Sequence, residues 1–467
     1  MRGLPGLFLD QLRQAASDDN LIVDPADCWT YGYDNSRRHH PPDAVVFATT
    51  TAQVQAIVQC CFESTVPITA RGRGTGTAGG SVPVAGGVVL SLERMIRILE
   101  TDPANRLMRV EAGVINQSVQ TEAGQHGFFW APDPTSAAYC TVGGNIAHNA
   151  AGPRSLKYGA TRENVLGLTA VTGDGRLIHT GGRTSKQATG YDFTRLLIGS
   201  EGTLAIVTEA ILKLIPRPEA RRTLQAVYRD ITSATAAIAR IMAQSVTPCA
   251  LEFMDATAIG MIRDYSTAEL PTDAGALLMI DVDGSESGLN ADVEAIRRAA
   301  TVDGLLRVAT ARDNTEAEAL WATRKALSPA LRKLAPNKLN EDVVVPVSRI
   351  PELIAGLERL SREYGIPIVN FGHAGNGNIH VNLLYDTQDP TQEKNALPCL
   401  SRVFDLVLSL DGTLSGEHGI GLAKRDYIDR AIDPDTLALM RAVKRDFDPK
   451  GILNPGKLFA DNLVRNS

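Results

Sequence analysis

The feature that most constrains this chain is the stretch PITARGRGTGTAGG, from Pro67 to Gly80, which sets Gly72, Gly74, Gly76, Gly79 and Gly80 directly behind a β-rich segment. Glycines carry no Cβ to hold a ligand away from the main chain, and successive N–H groups in such a loop curve around an anion. A pyrophosphate is the natural guest. A Rossmann turn explains these glycines less well, because no clear helix follows them and no acidic ribose ligand stands about 20 residues on. A glycine-rich surface turn without a ligand remains the plain alternative. A second segment, APDPTSAAYCTVGGNIAHNAAGPRSLKYG, is also poor in bulky apolar residues and dense in backbone donors. Two such loops in one domain suggest an extended ligand between them. A third, LIGSEGTLAIVTE, puts Gly199 and Gly202 at the start of a strand, where backbone can meet a flat ring.

At 467 residues and 44% hydrophobic, the chain has apolar material for two cores. Its 47 basic and 53 acidic side chains leave a net charge of −6 with no long block of one sign, which argues against a nucleic-acid partner. No uninterrupted apolar stretch reaches the roughly 18 to 20 residues of a bilayer-spanning helix, so any membrane contact is expected to be peripheral. The opening MRGLPGLFLDQLRQ reads as an amphipathic helix rather than a targeting segment. The six cysteines show no CxxC pairing, which leaves iron-sulfur and structural zinc sites without ligands and fits free thiols in a reducing, cytoplasmic setting.

From about Asp43 to Leu214, short β-rich runs such as AVVFATT and VPITARG alternate with helical stretches such as TAQVQAIVQCCFEST. NVLGLTAVTGDGRLIHTG reads as a hairpin around Gly173-Asp174-Gly175. At Ile215-Pro216-Arg217-Pro218 the prolines interrupt the pattern, and a main boundary is placed there. Beyond it, TSATAAIARIMAQ and GLNADVEAIRRAATV are expected as helices, and GALLMIDVD, DVVVPVSRI and IPIVNFGHAGNGNIHVNLLY as strands, which together predict helices on one face of an antiparallel sheet. The fold class is α+β. The expected domains are residues 1–218, a first domain of two α+β subdomains behind an N-terminal helical segment, then 219–412, a cap, and 413–467, a segment returning to the first domain.

Three of the eight histidines fall in NFGHAGNGNIHVNLLY and SGEHGIGLAKR. The first reads as a hairpin whose Gly/Asn/Ala turn brings His373 and His380 opposite one another, and the two-residue strand period adds Asn382 to the face of His380. Glu417, in a glycine-flanked loop, can supply a carboxylate to complete a His2Glu set with open positions. Zinc is the first expectation, and manganese and ferrous iron accept the same ligands. The alternative is that the two histidines hydrogen-bond within a sheet and that Glu417 and His418 cap a helix.

Together RGRGTG, PDPTSAAYCTVGGNIAHNAAG, GSEGTLAIVTE and FDPKGILNPGKLF resemble the vanillyl-alcohol-oxidase-type FAD-binding proteins, over about Tyr31 to Phe459. Within them the chain is similar to the branch holding D-lactate dehydrogenase, the glycolate oxidase D-subunit and D-2-hydroxyglutarate dehydrogenase. The resemblance implies a PCMH-type FAD-binding domain with a ferredoxin-like cap. It implies that Arg71, Gly72, Arg73, Gly74, Thr75, Gly76 and Thr77 wrap the FAD pyrophosphate. Pro132, Asp133, Thr135, Gly143, Gly144, Asn145, Ala147, Asn149 and Gly152 would line the isoalloxazine and ribityl chain. Gly202, Ile206 (by its backbone) and Asn454 would complete the site. The glycine loop has no histidine, with Thr75 and Thr77 in its place, so the FAD is expected to be non-covalent.

The same resemblance makes His373, His380 and Glu417 metal ligands, His418 the general base, and Arg324, in EALWATRKALSPAL, the residue that pairs with a substrate carboxylate. On sequence alone Arg324 reads equally well as an exposed helix arginine. The chemistry explains the residue types: losing a hydride from an alcohol carbon is easier as the hydroxyl gives up its proton, and imidazole titrates near neutrality. The activity implied is oxidation of a D-2-hydroxy acid to the 2-oxo acid, with hydride passing to flavin N5. Electrons would leave to a quinone, cytochrome or electron-transfer flavoprotein; a homodimer is one assembly left open, and the expected setting is cytoplasmic or peripheral at the inner membrane.

D-2-hydroxyglutarate enzymes of the branch carry a threonine one turn after the arginine and a lysine where this chain has Ser328 and Asn340, with Lys338 displaced by two. That departure favours a monocarboxylate such as D-lactate or glycolate over D-2-hydroxyglutarate. A catalytically silent FAD subunit of an oxidase complex is the remaining reading, and it sits poorly with the retained histidine and Glu417-His418 motifs.

Overall fold

The computed structural model describes residues 4–263, 270–331 and 334–459. The chain divides into two compact units, one of Met1–Ala151, Gly159–Arg217 and Glu417–Ser467, the other of Gly152–Tyr158 and Pro218–Gly416.

In the first unit, the strands Ala44–Phe47, Val88–Ser91 and Ile68–Arg71 run parallel in that order, with Leu21–Ile22 antiparallel at the edge. Every residue of Ala44–Phe47 and Val88–Ser91 is buried, as expected of parallel strands covered on both faces. Thr50 caps the helix Thr51–Ser64 by accepting the Gln53 N–H. Val54, Ile57, Val58 and Cys61 of that helix bury against the sheet together with Phe8, Leu12 and Ala16 of the N-terminal helix Gly6–Ala16, spaced four apart on one face. The second sheet is antiparallel, in the order Ile98–Asp102, Leu107–Glu111, Ala205–Lys213, Val165–Thr172, Leu177–Gly181. Its last pair is the hairpin expected around Gly173-Asp174-Gly175, where Gly175 holds φ +82°.

The C-terminal segment belongs to the first sheet. Asp448 receives the N–H groups of Ile452 and Leu453 and pairs with the buried Lys444. Leu453 bridges Ile68 in parallel, and Asn454 N–H donates to Ile68 O at 2.7 Å. The tail therefore ends beside the strand that carries the glycine loop.

The second unit is built on seven antiparallel strands, ordered Leu305–Thr310, Ala220–Tyr228, Ala276–Gly284, Ala250–Asp255, Ile368–His373, Asn378–Tyr385, Asn337–Val344. The helices Ile231–Met242, Glu286–Ala300, Ile350–Tyr364 and Pro390–Ser409 pack on this sheet, and Tyr228 OH reaches Ala300 O at the end of the second. Two more helices, Ala256–Ile262 and Asn314–Ala330, lie on the face opposite Tyr228, where Ala258, Ile259, Leu320 and Leu327 bury against Met254, Met279, Phe371 and Leu384. By the strand alternation that face also carries Glu252, His373, His380 and Asn382. The strand expected at DVVVPVSRI instead spans Asn337–Val344. Pro346 has no N–H to give and the chain turns there into the helix at Ile350, while the polar Asn337–Asn340 run hid the strand's beginning.

Asp255 ties the last turn of this arrangement together: one oxygen takes the Ala258 N–H, and the other takes the N–H and Nδ2 of Asn370. Burial outweighs those donors and pushes its carboxyl up to about 6. A raised carboxyl contributes stability that is present below its unfolded value and is lost as pH rises through about 6. Urea unfolding should therefore show wild-type stability declining between about pH 4 and 6.5 relative to Asp255→Asn, by on the order of 3 kcal/mol.

Candidate active site

The glycine loop is shaped by what surrounds it. A Cβ at Gly72 would overlap Thr141 Oγ1, and one at Gly74, held at φ +64°, would overlap the Arg71 guanidinium. Arg71 folds beneath the loop, with Nη1 donating to Tyr33 O at 2.6 Å and Ser81 Oγ at 3.3 Å. Thr141 caps the helix Val142–His148 by accepting the Gly144 N–H at 3.1 Å, and Gly143 lies so close to Ala112 that a Cβ would approach to 2.8 Å. The two donor-rich loops thus meet through Gly72 and Thr141. Arg73 is exposed, whereas Thr75, Gly76 and Thr77 are part-buried.

Glu201 in GSEGT is the pivot of the third segment. It holds a left-handed φ of +54°, and its N–H donates to Ala147 O at 2.8 Å. Its buried carboxylate receives the N–H groups of Ile420 and Gly421 at 2.6 and 2.8 Å, which fixes the loop behind His418. Asn454, with φ +42°, donates from Nδ2 to both Gly80 O and Glu201 O. Lys457, wholly buried, donates to Val82 O and Asn454 Oδ1, and burial drives its ammonium down to about 8. Gly202 follows at φ +68°, and Ile206 is a buried strand residue paired with Val171.

The buried atoms Thr77 Oγ1, Asn145 Nδ2 and His148 Nδ1 have no protein partner. A buried polar atom without one costs free energy unless a ligand or water meets it, so this cradle suits a long ligand rich in acceptors and donors. Asn149 closes the helix in a left-handed conformation at φ +52°. Pro132 O accepts from Asn116 Nδ2, Asp133 is part-buried and Thr135 is exposed. Gly152 begins the segment Gly152–Tyr158 of the second unit, where Lys157 and Tyr158 both bond to the Asp283 carboxylate.

In the second unit, His373 and His380 stand on neighbouring strands, but not directly opposite. His373 pairs with Asn378 and His380 with Phe371, so the imidazoles are diagonal neighbours on one face, with ring centroids 5.2 Å apart. The turn Ala374–Asn376 closes on Gly377 at φ +73°. Asp342, the cross-strand partner of His380, takes Ser415 Oγ and the Gly416 N–H. Glu417 is the next residue, and one ligand atom from each of His373, His380 and Glu417 lies within 4.8 Å of the others. Two imidazoles and a carboxylate so placed suit a borderline divalent ion.

Arg324 is not the exposed helix arginine of the alternative reading. Its Nε and Nη2 bond to Glu252 Oε2 at 3.1 and 2.8 Å, and its guanidinium lies 4.6 Å over the Phe371 ring. Glu252 Oε1 meets His373 Nδ1. Burial pushes the Glu252 carboxyl up, but His373 and Arg324 overcome that and hold it at about 2. Asn382 is fully buried, with Nδ2 on Val369 O and His380 O, and both its Oδ1 and that of its cross-strand partner Asn340 lack a protein partner. Lys338 stands two residues before Asn340 on one strand, so the displacement keeps it on the same face, roughly 7 Å along. The side chain of Ser328 lies outside the described residues.

Sequence reasoning missed Glu252, Glu201 as a carboxylate, and His148. Glu252 stands mid-strand in ALEFMD among apolar residues, and an acid inside a buried strand was the available signal.

Residues 217–458 match the family model of the C-terminal domain of FAD linked oxidases, and residues 42–181 match an FAD binding domain. The glycolate oxidase subunit GlcD of Bacillus subtilis (strain 168) is 39% identical over 452 residues, covering 97% of this chain and 96% of that one. A D-lactate dehydrogenase of Anaerostipes hadrus is 35% identical, covering 89% of each, and a D-2-hydroxyglutarate dehydrogenase of Xanthomonas citri pv. viticola is 33% identical, covering 96% of each. The solved p-cresol methylhydroxylase superposes with a TM-score of 0.81 at 19% identity, covering 98% of both chains, and shares the fold.

Filling the space at Gly72 tests the cradle. Gly72→Val forces Thr141 and the loop apart at an overpacking cost of about 1–3 kcal/mol. The variant should purify with FAD retention weakened roughly tenfold or more, read as the ratio of absorbance at the flavin band to that of protein.

Proposed function

This chain belongs to the FAD-linked oxidases and is an FAD-dependent hydroxy-acid dehydrogenase, and from that premise we propose that it oxidises a D-2-hydroxy monocarboxylate to the 2-oxo acid with a divalent ion at His373, His380 and Glu417. The observation that carries the metal is the His2Glu cluster itself, with its ligand atoms mutually within 4.8 Å. The first unit is the FAD-binding part: Gly72 to Thr77, Gly143 to Asn149, Gly202, Ile206 and Asn454 would hold the cofactor, without a covalent bond. The second unit is the part that holds the acid.

Bound FAD supplies the acceptor for the hydride leaving the substrate's C2 carbon, and a bound divalent ion supplies positive charge at its hydroxyl oxygen. The chain's own groups do the rest. Arg324 neutralises the substrate carboxylate. His418 takes the hydroxyl proton, and its loop is held by Glu201 through Ile420 and Gly421. Asn382 offers an unpaired Oδ1 and steadies the strand of His380. Electrons then pass to an acceptor other than a nicotinamide, such as a quinone, cytochrome or flavoprotein.

A second reading, D-2-hydroxyglutarate dehydrogenase, draws support from Lys338, which shares the face of Asn340 and Asn382 and could meet a distal carboxylate. Comparing kcat/KM for D-lactate, glycolate and D-2-hydroxyglutarate with a dye acceptor decides between them; a preference for D-2-hydroxyglutarate that Lys338→Met abolishes would favour the second. Dye reduction by the purified chain alone excludes a silent subunit.

Two outcomes are expected from perturbing the site. Chelator treatment should abolish turnover while the flavin absorbance stays, and added Zn2+ or Mn2+ should restore it. His418→Asn should keep flavin and metal but lower kcat by about 10²- to 10⁴-fold, as loss of a general base does.

A further inference from the structure

Glu252 is a buried carboxylate, 1% exposed, that neither oxygen leaves idle. Register delivers it: on the strand Ala250–Asp255 it stands directly across from His373, and paired side chains in that relation have Cβ atoms about 4.5–5.5 Å apart. Oε1 meets His373 Nδ1, and Oε2 takes the Nε and Nη2 of Arg324 at 3.1 and 2.8 Å. The Phe371 ring lies beneath the same guanidinium, at 4.6 Å, and beside His380, at 5.8 Å between centroids.

We propose that Glu252 is a positioning residue for two partners at once: it fixes His373 as the Nδ1–H tautomer, turning Nε2 toward the ion, and it occupies one edge of Arg324 so that only the remaining edge faces the substrate carboxylate. This rests on the metal and substrate roles proposed above. The physical reasoning is local. An ionised carboxylate has no proton to donate, so the His373 nitrogen facing it must be the donor. The lone pair then lies on Nε2, the nitrogen that would bind a metal, and such a carboxylate partner both orients the ring and raises its basicity. Arg324 cannot offer the substrate the Nε/Nη2 fork that Glu252 already holds. It presents the edge bearing Nη1, with its plane set by Glu252 on one side and Phe371 beneath. One carboxylate thereby keeps the metal ligand and the substrate clamp in a fixed relation.

The test compares FAD-loaded wild type, Glu252→Gln and His373→Ala by competing Zn2+ against a chromophoric chelator. The glutamine amide can accept from only one of its two partners, since its other atom is a donor. Expected results are tight Zn2+ binding by wild type, none by His373→Ala, and a 10- to 100-fold loss for Glu252→Gln with the flavin spectrum unchanged. Wild-type affinity in Glu252→Gln alongside loss in His373→Ala overturns the proposal and leaves the metal site standing. Equal binding by wild type and His373→Ala overturns both.

If Glu252→Gln does not fold, the imidazole nitrogen shifts of wild type decide: His373, assigned by loss of its signals in His373→Ala, must show a protonated Nδ1 and a bare Nε2, and the reverse refutes the proposal. The Arg324 half is read separately. Arg324→Lys has one ammonium for two partners and should raise KM for D-lactate tenfold or more while Zn2+ affinity holds. That penalty should shrink in the Glu252→Gln background, and an equal penalty in both backgrounds refutes the coupling.

Discussion

The constraint on which the second unit's chemistry depends is the register of one hairpin. Gly377 closes the turn at φ +73°, and any Cβ there would overlap Val345 O. A shift of one residue would send His373 or His380 to the opposite face, because side chains alternate along a strand. With the turn as it stands, Phe371, His373, His380 and Asn382 share a face. The neighbouring strands then add what an imidazole cannot supply alone: Glu252 from one side, across from His373, and Asp342 from the other, across from His380. Asp342 also holds Ser415 and Gly416, the residues that lead into Glu417.

The first unit solves a different problem, the close approach of main chain to a long polar ligand. Its glycines are of two kinds. Gly74, Gly79 and Gly202 hold positive φ, whereas Gly72 and Gly143 are needed because Thr141 and Ala112 leave no room for a Cβ. The cost of a donor-lined loop is met by fixed acceptors behind it. Glu201, Asn454 and Lys457 form a buried polar chain that ends on Gly80 O and Val82 O, and all but the Lys457–Asn454 bond join residues distant in sequence.

That distance explains what was legible in the sequence and what was not. The glycine loop, the hairpin at Gly173-Asp174-Gly175 and the two histidine motifs announce themselves locally, through turn chemistry and strand period. The FAD-linked family follows from the long motifs that carry the loops. Glu252 and Asp342 do not, because each acts on a partner set by strand order, and the order of seven strands cannot be read from a single chain of residues. The expectation that His373 and His380 would stand opposite assumed a symmetric turn, and the observed pairing of His373 with Asn378 offsets them by one pleat. The displacement of Lys338 likewise reads differently once Asn337–Val344 is a strand: two residues keep the face and change only the position along it.

In the proposed function the first unit offers a loop-built cradle for the cofactor and the second a strand-built face for the acid, and the central claim of that proposal is the ion. Crystals of the protein grown with Zn2+ and measured at the zinc absorption edge test it most directly. The account predicts one anomalous peak per chain, about 2.0–2.2 Å from Nε2 of His373, a ring nitrogen of His380 and a carboxylate oxygen of Glu417. Density for bound FAD with no peak among those three side chains would contradict it.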